Sequence, residues 1–384
     1  MPIGSSSLCR GPHRPTALGS LAGNIIRMLS STTLDLVTSQ PPPRDHASME
    51  QTLPTRGLRT GHQLTELGLG AAQFGNLFTE TTDDESHRAV GAAAEEGIRY
   101  FDTAPHYGLG LSERRLGDAL HAATRRGVVI SSKVGRLLVD SPDTTHRLDD
   151  DGFIVPATKR RVWDFSRDGI LRSVEESLAR LGTDRLDIAY LHDPDDHWGP
   201  ASSSGIAALA ELRDQGVVGA IGAGMNQAAM LAEFVRQTDV DVVMVAGRFT
   251  LLDQSALDDL LPVAGARGVG VVAAAVYNSG LLSSAAVDGS ANYDYGAAPR
   301  AVVERAARIA AVCERHGVEL PAAAIQYPLR HPAVASVVTG MRTQEHVRSN
   351  VARYRAVIPE ALWEELHFAG LVPDPIRTSR FSRV

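Results

Sequence analysis

Eight short apolar runs recur between residues 67 and 340, each followed by a longer stretch of helical periodicity, and this alternation limits the folds open to the chain. The runs are LGLGAA (67–72), IRYFD (98–102), VVISSK (128–133), LDIAYLH (186–192), VVGAIGA (217–223), DVVMVAG (241–247), VGVVAAAV (269–276) and VASVVTG (334–340). Short runs rich in Val, Ile, Leu and Ala read as buried strands. The stretches between them carry helix signals: TTDDESHRAVGAAAEEG opens on Thr and Asp caps and stops at Gly97, and SRDGILRSVEESLARLG opens at Ser166 and stops at Gly182. Each helix returns the chain for another parallel strand. Eight such repeats in about 300 residues predict an α/β fold of the closed (β/α)8 TIM barrel type, since an open doubly wound sheet usually has fewer strands at that length. The glycine cluster GLGAAQFG (68–75) lacks the GxGxxG spacing of a dinucleotide-binding turn, which also argues against the open sheet.

Ahead of the first run, LRTGHQLTEL (58–67) has a Thr-Gly turn between two extended arms and predicts an N-terminal hairpin across the barrel floor. Residues 134–165 and 277–298 interrupt the rhythm as long loops after the third and seventh strands. Both emerge on the C-terminal face, where barrels keep their active sites. The barrel is expected over 56–372, with 373–384 as a tail. Residues 1–34 have the Arg- and Ser-bearing, acid-free composition of a mitochondrial transit peptide. The reading preferred here is that 1–48 is a disordered extension or lies upstream of a true start at Met49, because PPPRDHASMEQ (41–51) reads as unstructured.

A formal charge of -7 and the lack of any Lys/Arg-rich block argue against nucleic acid as a partner. No stretch reaches the roughly 20 apolar residues of a membrane helix. Cys9 and Cys313 are too isolated for a disulfide framework, which fits a reducing cytoplasm. Small molecules are the expected partners, with the chain a monomer or a small homo-oligomer.

Side chains at the C-terminal ends of barrel strands converge on the mouth. The second strand ends at Asp102, with Tyr107 in the loop beyond, the third at Lys133 and the fourth at His192. Lys133 is one of only two lysines among 38 Lys and Arg residues, the other being Lys159. A free tyrosine has a pKa of about 10; a buried ammonium beside it is expected to favour the phenolate and lower that value. Asp102 would hold Lys133 charged, and His192 would orient a substrate oxygen toward Tyr107. The set suits proton transfer at an oxygen, half of a carbonyl/alcohol interconversion. The other half is a hydride, which a nicotinamide supplies. His106, His197, Asp193, Asp195 and Asp196 lack metal-ligand spacing, and no metal is expected.

FDTAPHYGLGLSERRLG (101–117), ISSKVG (130–135), DRLDIAYLHDPD (184–195), VVGAIGAGMNQ (217–227), YNSGLLS (277–283) and VVTGMRTQEHVRSN (337–350) together resemble the aldo-keto reductase superfamily. AGRFTLLDQ (246–254), VYNSGLL (276–282) and PEALWEELHFAGLV (359–372) resemble its branch of bacterial dehydrogenases for D-threo-aldoses, L-fucose and pyridoxal. The resemblance implies a catalytic tetrad of Asp102, Tyr107, Lys133 and His192, with Tyr107 as proton relay. It implies extended nicotinamide nucleotide binding by Gly70, Ala71, Gly224, Ser279, Gly280, Leu282, Gly340, Arg342, His346 and Asn350.

Two departures stand out. Ala274 replaces the aromatic that many members stack on the nicotinamide, with Tyr277 three residues on, and Gly224-Met225 replaces their Ser-Asn. Gly340 and His346 stand where NADPH users carry cations, so NAD is expected over NADP, although Arg342 is near enough in sequence to serve a 2′-phosphate. Phe74, Trp163 and Trp198 are the expected substrate contacts. The leading expectation is an aldose 1-dehydrogenase. A pyridoxal 4-dehydrogenase, a general aldehyde or ketone reductase and, in another class, a nicotinamide-binding sensor are the alternatives.

Overall fold

The computed structural model describes residues 52–122, 127–288, 292–294 and 296–375. The expected extension 1–48 and the end of the tail, 376–384, lie outside the described residues. In chain order the strands are β1 Thr55–Gly57, β2 Gln63–Thr65, β3 Leu67–Gly70, β4 Tyr100–Asp102, β5 Val129–Val134, β6 Arg136–Asp140, β7 Lys159–Trp163, β8 Leu186–His192, β9 Val218–Met225, β10 Val242–Ala246, β11 Gly270–Ala274, β12 Asn292–Tyr293, β13 Gly296–Ala297 and β14 Val334–Gly340. Strands β3, β4, β5, β8, β9, β10, β11 and β14 pair in that order, all parallel, into a closed barrel. Each corresponds to one of the eight apolar runs.

The helices form where the caps direct. Thr82 accepts from the Glu85 amide and Glu85 reaches back to the Thr82 amide, a reciprocal box that opens the helix Asp83–Glu95. Ser166 accepts from the Gly169 amide at the start of Arg167–Leu181, and Gly182 ends that helix at φ 60°, a left-handed conformation that costs a glycine little.

Strand alternation sorts the apolar side chains into two cores. One set, including Phe101, Ile130, Ala189, Leu191 and Val243, faces outward and packs under the helices. The other, including Tyr100, Val129, Ile188, Tyr190, Val242 and Val272, fills the barrel interior. Leu58 and Leu64 from the hairpin belong to that inner set and plug the floor. Arg59 fixes the hairpin there, donating to Asp241 at 2.8 Å and Asp239 at 2.7 Å. Asp241, 2% exposed, also takes Arg213 at 2.8 Å and the Ile221 amide at 3.0 Å.

Two expectations about connections need correction. The hairpin reaches further back than expected, with arms 55–57 and 63–65; the Leu58 amide donates to the His62 carbonyl at 2.8 Å across the Thr60-Gly61 turn while its side chain enters the barrel. The insertion 134–165 is not simply a loop: β6 and β7 form an antiparallel ribbon with Arg136 opposite Trp163 and Asp140 opposite Lys159. Lys159 and Asp140 also bond through their side chains at 2.7 Å, both well exposed. The insertion 277–298 carries its own small pair, β12 with β13.

Candidate active site

The inward phase of the barrel strands puts Tyr100, Ser131 and Tyr190 in one interior layer and brings Asp102, Lys133 and His192, two residues later on each strand, to the mouth. All three mouth residues are buried, at 3, 3 and 5% exposure. The Lys133 ammonium donates to Asp102 Oδ2 at 2.6 Å, to the Thr103 carbonyl at 3.0 Å and to Tyr107 Oη at 3.1 Å. Two of the three expected segments thus meet at one nitrogen, and the third brings the His192 ring edge-on to Tyr107 with centroids 6.1 Å apart.

Tyr107 is aimed by a backbone contact. Gly108 has φ +63°, and a Cβ there would lie 2.3 Å from the Gly75 carbonyl oxygen, so the loop after β4 lies directly on the loop after β3. Ser112 lies in the first turn of the helix Leu111–Ala122. Its hydroxyl donates to the Ala71 carbonyl at 2.7 Å and meets Thr103 Oγ1 at 2.8 Å, tying the same two loops together.

Burial lowers the pKa of the Lys133 ammonium, but Asp102 and Tyr107 outweigh it and the net shift is upward, so the charge is retained. For Tyr107 the net direction differs from the sequence expectation. Burial raises its pKa more than the Lys133 ammonium lowers it, and the phenol stays protonated above its ordinary range. His192 is driven well below its usual pKa by burial and by Arg136 and Lys133, and is neutral. His106 follows the same direction through burial and Arg161. Its ring stands edge-on to Tyr107, Phe153 and His192, with centroids 5.9, 5.3 and 5.4 Å away.

Beyond His106 the ribbon and the loop after β8 form an outer wall. Arg161 donates to the His106 carbonyl at 2.8 Å and is held by Asp149 at 2.6 Å. Arg136 pairs with Asp193 and lies 5.0 Å over the Trp163 ring, which stacks on His197. Arg136, Trp163, Asp193, Asp196, Asn226 and Gln227 line a cleft of about 400 Å³ beside His192.

The other side of the mouth is built from tightly turned backbone. Ala275, Asn278, Ser279 and Gly280 all have positive φ, an unusual density of left-handed residues outside glycine. Gly70 pairs with Asp102 and with Gly340, the Ala71 amide donates to the Asp102 carbonyl at 2.8 Å, and Gly224 pairs with His192. A Cβ on Gly340 would strike the Gln73 side chain at 2.2 Å. The Tyr277 hydroxyl donates to Asn350 Oδ1 at 2.8 Å, which ties the loop after β11 to the helix Gln344–Arg355. Arg342 donates to the carbonyls of Leu77, Thr79 and Glu80 and to Thr81 Oγ1, and is engaged as a clamp on the loop after β3. His346 is exposed, and its amide donates to the capping Thr343 at 3.3 Å.

Two expected substrate contacts are placed otherwise. Phe74 is fully buried in the outer core, so its ring has no surface for a substrate. Trp198 packs edge-on against Phe234 at 4.8 Å and against the outer core, leaving Trp163 as the tryptophan on the cleft.

Among the described residues, five buried side-chain polar atoms have no hydrogen-bond partner: Gln73 Oε1, Arg136 Nε, Arg161 Nε, His192 Nδ1 and Asn278 Oδ1. All belong to strand ends, loops or the ribbon at the C-terminal mouth. Folded proteins leave few such atoms, and their confinement to one face fits a mouth built to receive polar ligands. The residues present therefore fit an extended nucleotide: turned backbone and small residues on one side, orphaned amide groups at the centre.

A parallel eight-stranded barrel with an ammonium, a phenol, a carboxylate and an imidazole at its C-terminal mouth defines a nicotinamide-dependent oxidoreductase. The chain belongs to the aldo/keto reductase family, whose sequence pattern matches residues 66–367. It is 47% identical over 319 residues to a D-threo-aldose 1-dehydrogenase of a Pseudomonas species, covering 82% of this chain and 97% of that protein. It is 37% identical to the pyridoxal 4-dehydrogenase of Microbacterium luteolum, covering 82% and 96%. Among solved structures, an aldo-keto reductase from Bacillus halodurans superposes with a TM-score of 0.64 at 25% identity, covering 83% of this chain and 96% of that one. No described helix is long and apolar enough to cross a membrane.

Proposed function

We propose that this enzyme oxidises the anomeric hydroxyl of an aldose with NAD, using Tyr107 as the proton relay, in a reducing cytoplasm. The observation that carries the reading is the Lys133 ammonium, 2.6 Å from Asp102 and 3.1 Å from Tyr107 Oη, at a mouth lined by orphaned polar atoms. Because Lys133 donates to the phenol oxygen, the Tyr107 proton is free to point at a substrate oxygen. Neutral His192 donates to that same oxygen and fixes its position. In oxidation the ionised Tyr107 takes the hydroxyl proton; in reduction the phenol returns it. Bound nicotinamide supplies the hydride half of the exchange. Since burial holds the Tyr107 phenol protonated, oxidation is expected to accelerate with rising pH and reduction to slow.

The 47% identity to a D-threo-aldose 1-dehydrogenase supports the aldose reading, and the chemistry of the cleft agrees. Charged and amide side chains beside an exposed indole suit a polyhydroxylated ring, with C–H groups on Trp163 and hydroxyls on the Arg136–Asp193 pair. NAD is favoured because Arg342 is already engaged by three carbonyls and a hydroxyl, and a 2′-phosphate needs cationic partners.

The test is a panel of L-fucose, D-arabinose, L-galactose and pyridoxal, each with NAD and with NADP, followed at the reduced-nicotinamide band. Sugars are expected to turn over and NAD to lead NADP in kcat/KM by about tenfold or more. Turnover of pyridoxal alone would sink the aldose reading, and silence across the panel would favour a sensor. Trp163→Ala is expected to raise KM for the sugar by roughly tenfold with kcat and NAD affinity little changed, the pattern of lost uniform binding. An unchanged KM would remove Trp163 from the substrate site.

A further inference from the structure

Below the mouth, the barrel interior holds polar groups that the reaction as described does not use. Ser131 Oγ donates to Asp102 Oδ1 at 2.6 Å, on the opposite oxygen from the one that Lys133 holds. The Tyr100 hydroxyl lies 3.0 Å from Ser131 Oγ, and the Tyr190 hydroxyl lies 3.2 Å from that of Tyr100. All three side chains are fully buried, on β4, β5 and β8.

The direction of every bond is forced. A carboxylate paired with an ammonium accepts, so the one proton on Ser131 goes to Asp102. Tyr100 must then donate to Ser131, and Tyr190 to Tyr100. Burial keeps both phenols protonated, as the arrangement requires. Beside Tyr190, Gly222 lets the next strand come close, since a Cβ there would lie well inside contact of the Val242 carbonyl.

We infer that the hydroxyls of Tyr190, Tyr100 and Ser131 form a one-way hydrogen-bond chain that ends on Asp102 and sets the charge that the Asp102–Lys133 pair presents to Tyr107. These three are positioning residues, since none touches the reacting atoms. Their effect rests on the proposed relay through Tyr107. The charged and titratable groups around that phenol are Lys133 and Asp102 from the barrel, His106 beside it, His192 and Asp193 at the end of β8, and Arg136 and Arg161 behind His106. The chain contacts only Asp102 among them.

The sign follows from two routes that agree. A carboxylate that accepts the Ser131 proton has part of its negative charge drawn away from Tyr107. Without that donor, Asp102 exerts more of its charge on the phenol and neutralises the Lys133 ammonium more completely. Both changes disfavour the phenolate, so breaking the chain moves the ionisation of Tyr107 to higher pH. Cooperative polarisation falls off along a chain, so the outermost link matters least.

The experiment compares wild type with Ser131→Ala, Tyr100→Phe and Tyr190→Phe, reading the alkaline limb of kcat for sugar oxidation. The limb is expected to move up by about half to one pH unit in Ser131→Ala, less in Tyr100→Phe and least in Tyr190→Phe. Tyr107→Phe should remove the limb. A loss of folded fraction lowers the amplitude of such a profile and leaves its midpoint in place.

Tyrosinate absorbance, taken as the difference between each protein and its Tyr107→Phe counterpart, reads the same ionisation without turnover. If the wild type turns over none of the panel, the aldose reading fails, and the absorbance titration still decides the chain. Unchanged midpoints in Ser131→Ala and Tyr100→Phe would overturn the inference. Equal shifts in all three variants would overturn it too, since they would mark a general loosening of the interior.

Discussion

Tyr107→Phe is expected to lower turnover by about a thousandfold or more while nucleotide binding is retained. The phenol ring stays, with its edge-on contacts to His106 and His192, so the pocket keeps its shape. What disappears is the hydroxyl that Lys133 holds at 3.1 Å. Steady-state rates in both directions, alongside a titration of NADH fluorescence, separate the two effects. Turnover within tenfold of wild type would show that the proton travels another way. Loss of nucleotide binding as well would point to a collapsed mouth and call for comparison with Lys133→Met, which removes the ammonium and leaves Tyr107 in place.

The second large effect is on stability and lies at the opposite end of the barrel. Asp241 joins the floor hairpin through Arg59, the helix Ile206–Asp214 through Arg213 and β9 through the Ile221 amide, at 2% exposure. Asp241→Ala leaves two guanidinium groups and an amide short of their acceptor, and a loss of roughly 3–5 kcal/mol is expected. For a domain of this size that corresponds to a fall in melting temperature of roughly 5–10 °C. Asp239 binds the same two arginines with its side chain 63% exposed, so Asp239→Ala is expected to cost less than about 1 kcal/mol. Melting curves of the two variants side by side test whether burial, more than the number of ion pairs, sets the effect. Equal losses would contradict it.

The barrel and the cluster at its mouth were legible because both follow a period. The eight apolar runs give the strands, and counting back by twos from Asp102, Lys133 and His192 gives the inward phase. The same count reaches Tyr100, Ser131 and Tyr190, but a tyrosine in a buried strand reads as packing until its hydroxyl is seen to point along the barrel axis. The outer wall was hidden for a different reason. Arg136, Arg161 and Trp163 meet the site only because β6 pairs with β7, and the register of a ribbon inside a long insertion is written in no local pattern. The misplacement of Phe74 and Trp198 has the same root, since an aromatic near a strand end faces core or cleft according to a loop path that spacing does not report. For Tyr107 the arrangement was read correctly, but the net direction of its shift was not. That direction turns on depth of burial, which a sequence gives only coarsely.

Scarcity of lysine gives the ribbon a practical property. Lys133 is 3% exposed and bonded to three oxygens, whereas Lys159 lies on the ribbon strand β7 with its side chain 40% exposed. An amine-directed fluorophore at neutral pH therefore has one side chain to find, apart from the chain's amino terminus. That dye would sit on the same strand as Trp163, whose indole faces the cleft, so labelling chemistry alone turns the native sequence into an optical gauge of how the ribbon responds to sugar and nucleotide.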